Sequence, residues 1–291
     1  MKNLLFTLAL TTALISKAQD RFESVKVITT KATDQVYMLG GSEGNVLIQI
    51  SEDKVVMIDS HYASLSKKIK KALSDLTDHP ITFIINTHHH GNHTGGNENF
   101  NTEKTTVIAH ENVLKRLQKS GKSEGFLPEK TLKERYELSL PDETNHIIHV
   151  HNAHTDGDSF VYLTKSNVVH MGGVFFNGRY PHIDLKSGGS ITGYIAAQKQ
   201  IMTTINEETK IIPGHGPLAS YKELSDYIAV LMDLKTQIKK RINNGKSREE
   251  IETDSSITSK YDDAGYGDGY INSSKIRTTI YDSLLLASNN K

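Results

Sequence analysis

Residues 81–96 read Ile-Thr-Phe-Ile-Ile-Asn-Thr-His-His-His-Gly-Asn-His-Thr-Gly-Gly. The run Ile81 to Asn86 is mostly apolar and predicts a buried strand. The loop that follows it stands where functional side chains collect, at the end of a buried strand. His88, His90 and His93 fall within six residues of one another. On extended chain, His88 and His90 share one face because side chains alternate. His93 reaches the same centre once the chain turns at Gly91. Neutral imidazoles at this spacing suit zinc, which takes nitrogen ligands readily. Two single histidines stand in similar settings. His154 opens the turn His154-Thr155-Asp156-Gly157-Asp158, and His215 lies in Pro213-Gly214-His215-Gly216-Pro217 after a short strand.

Working outward, the segments 25–30, 35–39, 45–50 and 54–58 predict short strands, with Gly40-Gly41 and Ser51-Glu52-Asp53 as turns. His61 to Asp75 predicts a helix through Leu65, Ile69 and Leu73. Further strands are expected at 106–109, 147–150, 159–164, 167–171 and 210–212. Helices are expected at 111–119 and 191–205, along a long stretch through Leu224 and Ile238, and at the C-terminus through Ile276 and Ile280. The polar stretch 120–141 reads as a mobile loop and a lid element, and 262–270 as a flexible glycine-rich stretch. Interleaved strands and helices in two halves predict one mixed α/β domain with sheets between helices.

Composition narrows the function. The 291 residues carry 34 basic and 34 acidic side chains, so charge gives no footprint for nucleic acid. With no cysteine, thiolate metal sites, disulfides and cysteine nucleophiles are excluded, and any metal rests on the 14 histidines and the carboxylates. Lys2, the short apolar run Leu4 to Ile15 and the small residues of Ser16-Lys17-Ala18 predict a cleaved leader over 1–18. One domain over 19–291 follows, with a helical extension from about 222. The expected product is periplasmic or secreted, has no membrane span or obligate protein partner, and acts on a small molecule.

The strand ending Ile58-Asp59, the motif at 88–93, His154 and Gly214-His215-Gly216 together resemble the metallo-β-lactamase superfamily. Its ligand motif reads His-x-His-x-Asp-His, and the resemblance spans most of the mature chain. It implies an α/β (α+β) fold, a four-layer αββα sandwich with metal at one edge between the sheets. It places His88, His90 and His154 in a first zinc site, and His93 and His215 in a second. It puts two residues with the catalytic machinery. Asn92 stands where the family carries the motif's aspartate, and Asp59 matches an acid that supports the ligands. Gly173 stands where many members carry a metal-bridging acid. One Zn2+ is therefore expected, with a second site short of ligands. Tyr180 and His182, in a loop resembling one near the metal edge, are expected to touch substrate. Asp156 and Asp158 are alternative acids, and His61, His89 and His170 are candidates for contacts behind the ligands.

The implied activity is exported zinc-dependent hydrolysis, with a zinc-bound hydroxide attacking a small amide or ester such as a β-lactam. Two alternatives remain: a degenerate mono-zinc or ligand-binding protein with little turnover, or a lactonase or phosphoester hydrolase.

Overall fold

The computed structural model describes residues 22–41 and 44–289. The leader expected over 1–18 lies outside the described residues.

Seven strands form the first sheet in sequence order: β1 (Ile28–Lys31), β2 (Val36–Gly40), β3 (Asn45–Ile50), β4 (Val55–Ile58), β5 (Ile81–Asn86), β6 (Thr106–His110) and β7 (Lys130–Leu132). β1 to β4 form an antiparallel meander, and β4 to β7 run parallel. The second sheet holds β8 (Arg135–Ser139), β9 (Thr144–His149), β10 (Ser159–Leu163), β11 (Val168–His170) and β12 (Lys210–Ile212), in the order β12-β11-β10-β9-β8. The principal helices are α1 (Ser66–Ser74), α2 (Glu111–Lys119), α3 (Ile191–Thr204), α4 (Tyr221–Asn243), α5 (Arg248–Thr253) and α6 (Ser273–Asn289).

Alternation along the strands builds the layers. Leu47, Ile58, Ile85 and Ile108 point inward and meet Ile147, Val161, Val168 and Ile212 of the second sheet. Their neighbours Ile48, Met57, Ile84 and Val107 point outward onto Leu65, Ile69 and Leu73, on and just before α1. The register agrees: Leu47 pairs with Ile58 and Ile48 with Met57, so each face matches like with like. On the far side, Phe160, Val169 and Ile211 pack beneath α3, α4 and α6. Because both faces of the central strands are covered, β3 to β6 are largely apolar. The architecture is the expected αββα sandwich.

One expectation is corrected. The stretch 120–141 is not a lid loop. Lys130–Leu132 closes the first sheet as β7, and Arg135–Ser139 edges the second as β8. Both are edge strands whose residues are mostly exposed or half-buried, so the apolar signal of a strand is diluted.

The two sheets are stitched together at one edge. Asn45, opening β3, sends its backbone N–H to Gly214 O at 2.9 Å and its amide to Pro213 O at 2.9 Å and Gly216 O at 2.8 Å. Ser159, opening β10, donates its N–H to Thr87 O at 2.8 Å. The loops after β4, β5 and β12 therefore meet at that edge.

Candidate metal centre

After β4 the chain runs Asp59-Ser60-His61, with Asp59 at φ 63° and His61 at φ 59°. Left-handed backbone is costly for residues other than glycine and needs outside support. The turn after β5 provides it. Ser60 N–H donates to His93 O at 2.7 Å, and Gly96 N–H donates to His61 O at 2.8 Å. A Cβ on Gly96 would lie 2.2 Å from Ser60 O, so only glycine allows this approach. Beneath it, Asn97 Nδ2 donates to Asn86 Oδ1 at 2.7 Å, and Ser60 Oγ donates to Asn97 Oδ1 at 2.7 Å.

The chain turns as expected at Gly91. His90 is extended, and Gly91–Thr94 forms one helical turn. That turn brings the His93 ring to 4.2 Å from the His88 ring, centre to centre. His154 comes from the loop after β9 to 4.6 Å from His88 and 4.7 Å from His90. One ring nitrogen from each of His88, His90 and His154 lies within 4.8 Å of the other two.

The partners behind the rings assign their tautomers. Asp59 is fully buried and accepts from Thr87 N at 2.8 Å, Thr87 Oγ1 at 2.8 Å and His93 Nδ1 at 2.6 Å. Burial pushes the Asp59 carboxyl up, but His93 and His170 outweigh it and hold the group well below the usual carboxylate range. An ionised carboxylate only accepts, so the Thr87 hydroxyl donates to Asp59 and accepts from His88 Nδ1–H at 3.0 Å. His154 Nδ1 donates to His182 O at 2.5 Å, and His90 Nε2 to Asp184 Oδ2 at 3.1 Å. Each ring is thus left with a lone pair on its other nitrogen, the arrangement in which histidine binds metal. Burial first, and neighbouring rings second, push His88 and His154 well below the ordinary histidine value and keep them neutral.

His90 Nδ1 and His154 Nε2, both left as acceptors, lie only 2.9 Å apart. That is hydrogen-bond distance; with both rings neutral and tied behind, two lone pairs would face each other there, and a cation between them would relieve the repulsion. Two nitrogens bound tetrahedrally to one zinc at about 2.0–2.1 Å would stand roughly 3.3 Å apart.

The other half of the cluster is different. His93 Nε2 is buried with no hydrogen-bond partner. His215 stacks flat on Phe176 at 4.1 Å, and its ring is 5.6 Å from that of His93. Its Nε2 lies 3.4 Å from Asn92 Nδ2. The structure thus brings His93, Asn92 and His215 together without a carboxylate among them. The Gly173 position is filled from outside: a Cβ there would sit 2.2 Å from His154 Cδ2.

The remaining expected residues divide. His182 stands at the rim, its ring 5.8 Å from His90 and 5.5 Å from His154. Tyr180 does not reach the site; it is 1% exposed and its hydroxyl donates to Asp262 Oδ1 at 2.7 Å. Asp156 pairs with Arg116 through two bonds of 2.7 Å. Asp158 accepts from Thr155 N–H and Oγ1 inside its own turn, and burial pushes its carboxyl up to about 6. Neither carboxylate stands in the histidine cluster; one is held by Arg116 and the other by its own turn. His170 faces Asp59 at 3.5 Å from behind, and His89 lies edge-on beside His88. His61 is buried, its Nδ1 accepting from Tyr62 N–H at 2.8 Å. Asp184 was not anticipated. It stands 94 positions from His90, and the only local hint is its place two residues after His182.

No curated protein matches the sequence. Solved structures do match in fold. The metallo-beta-lactamase from Pontibacter korlensis shares 16% identity with a TM-score of 0.64, over 72% of this chain and 100% of that one. The DIM-1 metallo-beta-lactamase shares 17% identity with a TM-score of 0.61, over 72% of this chain and 99% of its own. The sequence profile of the metallo-beta-lactamase superfamily matches residues 39–217, which include every histidine of the cluster. With the sandwich and its histidine-lined edge in place, this chain belongs to the metallo-beta-lactamase superfamily.

Proposed function

We propose that the chain is a zinc hydrolase of small amides or esters, a β-lactam among them, working with one metal held by His88, His90 and His154. The observation that carries this is the facing pair His90 Nδ1 and His154 Nε2 at 2.9 Å, each with its other nitrogen tied behind. Three neutral nitrogen donors with a fourth position open are the donor set of a catalytic zinc. Zinc there supplies a water-derived nucleophile at neutral pH and polarises the scissile carbonyl.

The chain's own residues do the rest. Asp59 holds His93 and, through Thr87, orients His88; Asp184 orients His90; the His182 carbonyl orients His154. In hydrolysis the water oxygen joins the carbonyl carbon, the C–N or C–O bond breaks, and a proton passes to the leaving atom. Asn92 is an amide and cannot take the water's proton. General-base help is typically worth about 10²–10⁴-fold, so turnover slower than with an aspartate there is expected. A second reading, a mono-metal protein with little turnover, is favoured by Asn92 beside His215 and by the filled Gly173 position. A lactone or phosphodiester suits the same nucleophile.

The leader pattern at 1–18 supports export of one domain, residues 19–291, and among the described residues no helix is long and apolar enough to cross a membrane. The test is zinc content of the purified protein, followed by assay against a β-lactam, a lactone and a phosphodiester. Zinc near one per chain and turnover of one substrate class is expected. A protein that takes up no zinc ends the reading.

A further inference from the structure

The outer helices carry a groove that shares no residue with the histidine cluster. It holds about 630 Å³ and runs between α3 and α4. Ile195 and Met232 line it with Lys199, Lys235, Lys239 and Lys240, and no carboxylate does. Helical spacing makes this arrangement. Lys235, Lys239 and Lys240 stand three, seven and eight positions after Met232, on one face of α4. Leu231, Leu234 and Ile238 form the neighbouring face and are buried in the core. On α3, Lys199 stands four positions after Ile195. Each helix therefore brings an apolar side chain and at least one ammonium to the groove.

Met232 is 42% exposed there. The lysines are without counter-ions. Elsewhere on α4, Lys222 pairs with Asp226 and Arg241 with Asp254, but none of the four makes an ion pair among the described residues. Asp233, beside Met232 in sequence, is held by Gln237 Nε2 at 2.8 Å and the Tyr261 hydroxyl at 2.6 Å. Burial, and after it Lys239 and Lys199, push the Lys235 ammonium below the ordinary lysine value, as crowded like charges do. A cleft lined by one sign of charge over apolar walls concentrates counter-ions. Lysine stems cover apolar surface while their heads stay in water, so the groove is apolar below and cationic at its rim.

We propose that this groove binds a free single-chain anionic amphiphile, with the alkyl chain against Ile195 and Met232 and the anionic head among Lys199, Lys235, Lys239 and Lys240. Charge complementarity selects the head, and the apolar floor selects the chain. A compact inorganic anion would leave Met232 unused. A concave groove within the range of about 300–1,000 Å³ typical of small-molecule sites encloses a molecule instead of resting on a flat lipid surface. The inference is independent of the hydrolase reading.

The test uses the full, as-purified chain with octane-1-sulfonate, decane-1-sulfonate and neutral octyl glucoside, all below micelle-forming concentrations. Sulfonates are poor metal ligands, so the histidine cluster does not compete for them. Affinity is read by calorimetry and location by the carbon-13 methyl signal of Met232, assigned through Met232→Leu. Octane-1-sulfonate is expected to bind more tightly than octyl glucoside, and the two extra methylenes of decane-1-sulfonate to add about threefold to tenfold. Lys235→Gln with Lys239→Gln should weaken both sulfonates about threefold to tenfold and remove the preference for the anion. Met232→Ser should weaken all three probes. The Met232 methyl signal should shift during titration, and melting temperature and zinc content should stay unchanged in every variant. No binding, no preference for the sulfonate, an unmoved Met232 signal, or a double variant that binds like wild type overturns the proposal. So does tighter binding to phosphatidylglycerol vesicles or to a hexaglutamate peptide than to decane-1-sulfonate, since the groove would then serve a membrane or an acidic protein segment.

Discussion

The two halves of the histidine cluster share a loop but not a chemistry. On the His88, His90 and His154 side, every ring has its rear nitrogen tied to an oxygen, and the front nitrogens of His90 and His154 meet at 2.9 Å. On the His93, Asn92 and His215 side, His93 is tied to Asp59, but His215 is stacked on Phe176 and its Nε2 faces an amide. The first half has the donor arrangement of a candidate metal site. The second offers neutral donors only, and a second dication near the first needs anionic ligands to offset repulsion. Metal sites are specified as much by what stands behind the ligands as by the ligands.

The largest expected effect comes from breaking the organised half. His154→Ala removes a ligand and one of the two facing lone pairs. Zinc should be lost and hydrolysis should fall to background, measured by elemental analysis and assay of the same sample. Retained zinc with near wild-type rate would place the metal elsewhere.

Asp184→Asn tests the support behind a ligand. The amide keeps the shape but frees His90 to turn or change tautomer. Zinc affinity should fall about 10–100-fold, read by competition with a chelator. No change would mean that packing alone holds His90.

Asn92→Asp should make the two halves more alike. It adds the missing charge beside His215 at nearly constant shape. Zinc should rise from about one toward two per chain, with hydrolysis at least about tenfold faster. Two zinc ions in the unaltered protein, and no gain from the aspartate, would show that the halves are already equivalent.

The smallest effect is on stability. His88, His154 and His215 are pushed well below the ordinary histidine value, with burial the largest cause for each. Depressed folded values mean that the unfolded chain takes up protons first as pH falls below about 6.5. Stability of the zinc-free protein should therefore hold above pH 7 and decline as pH drops from 6.5 toward 5. The limiting slope is about 1.4 kcal/mol per pH unit for each histidine. Urea midpoints across that range measure it, and a flat profile would mean that these rings are protonated in the fold.

Much of the layout was legible without coordinates because it follows from local rules. A mostly apolar run of six residues makes a strand, and a glycine within a histidine cluster makes the turn that gathers it. The inward and outward alternation of Leu47 with Ile48, or Ile84 with Ile85, sets two faces and hence four layers. The edge strands β7 and β8 escaped because their exposed positions carry polar side chains, as a loop does.

What only the tertiary structure decided is which partner stands behind each ring. Hydrogen bonds span a few ångströms of space but any length of chain, so nothing near His90 announces Asp184, 94 residues away. The same holds for the aromatic at the rim. Tyr180 and Tyr270 are both tyrosines in stretches that hold a glycine, Gly178 and Gly269, and residue type cannot tell them apart. Packing against Tyr266 and Asp262 turned the first into a buried anchor and left the second in solvent beside His182. Residue type and spacing set which donors were available; the closing of two sheets at one edge set which way their lone pairs point.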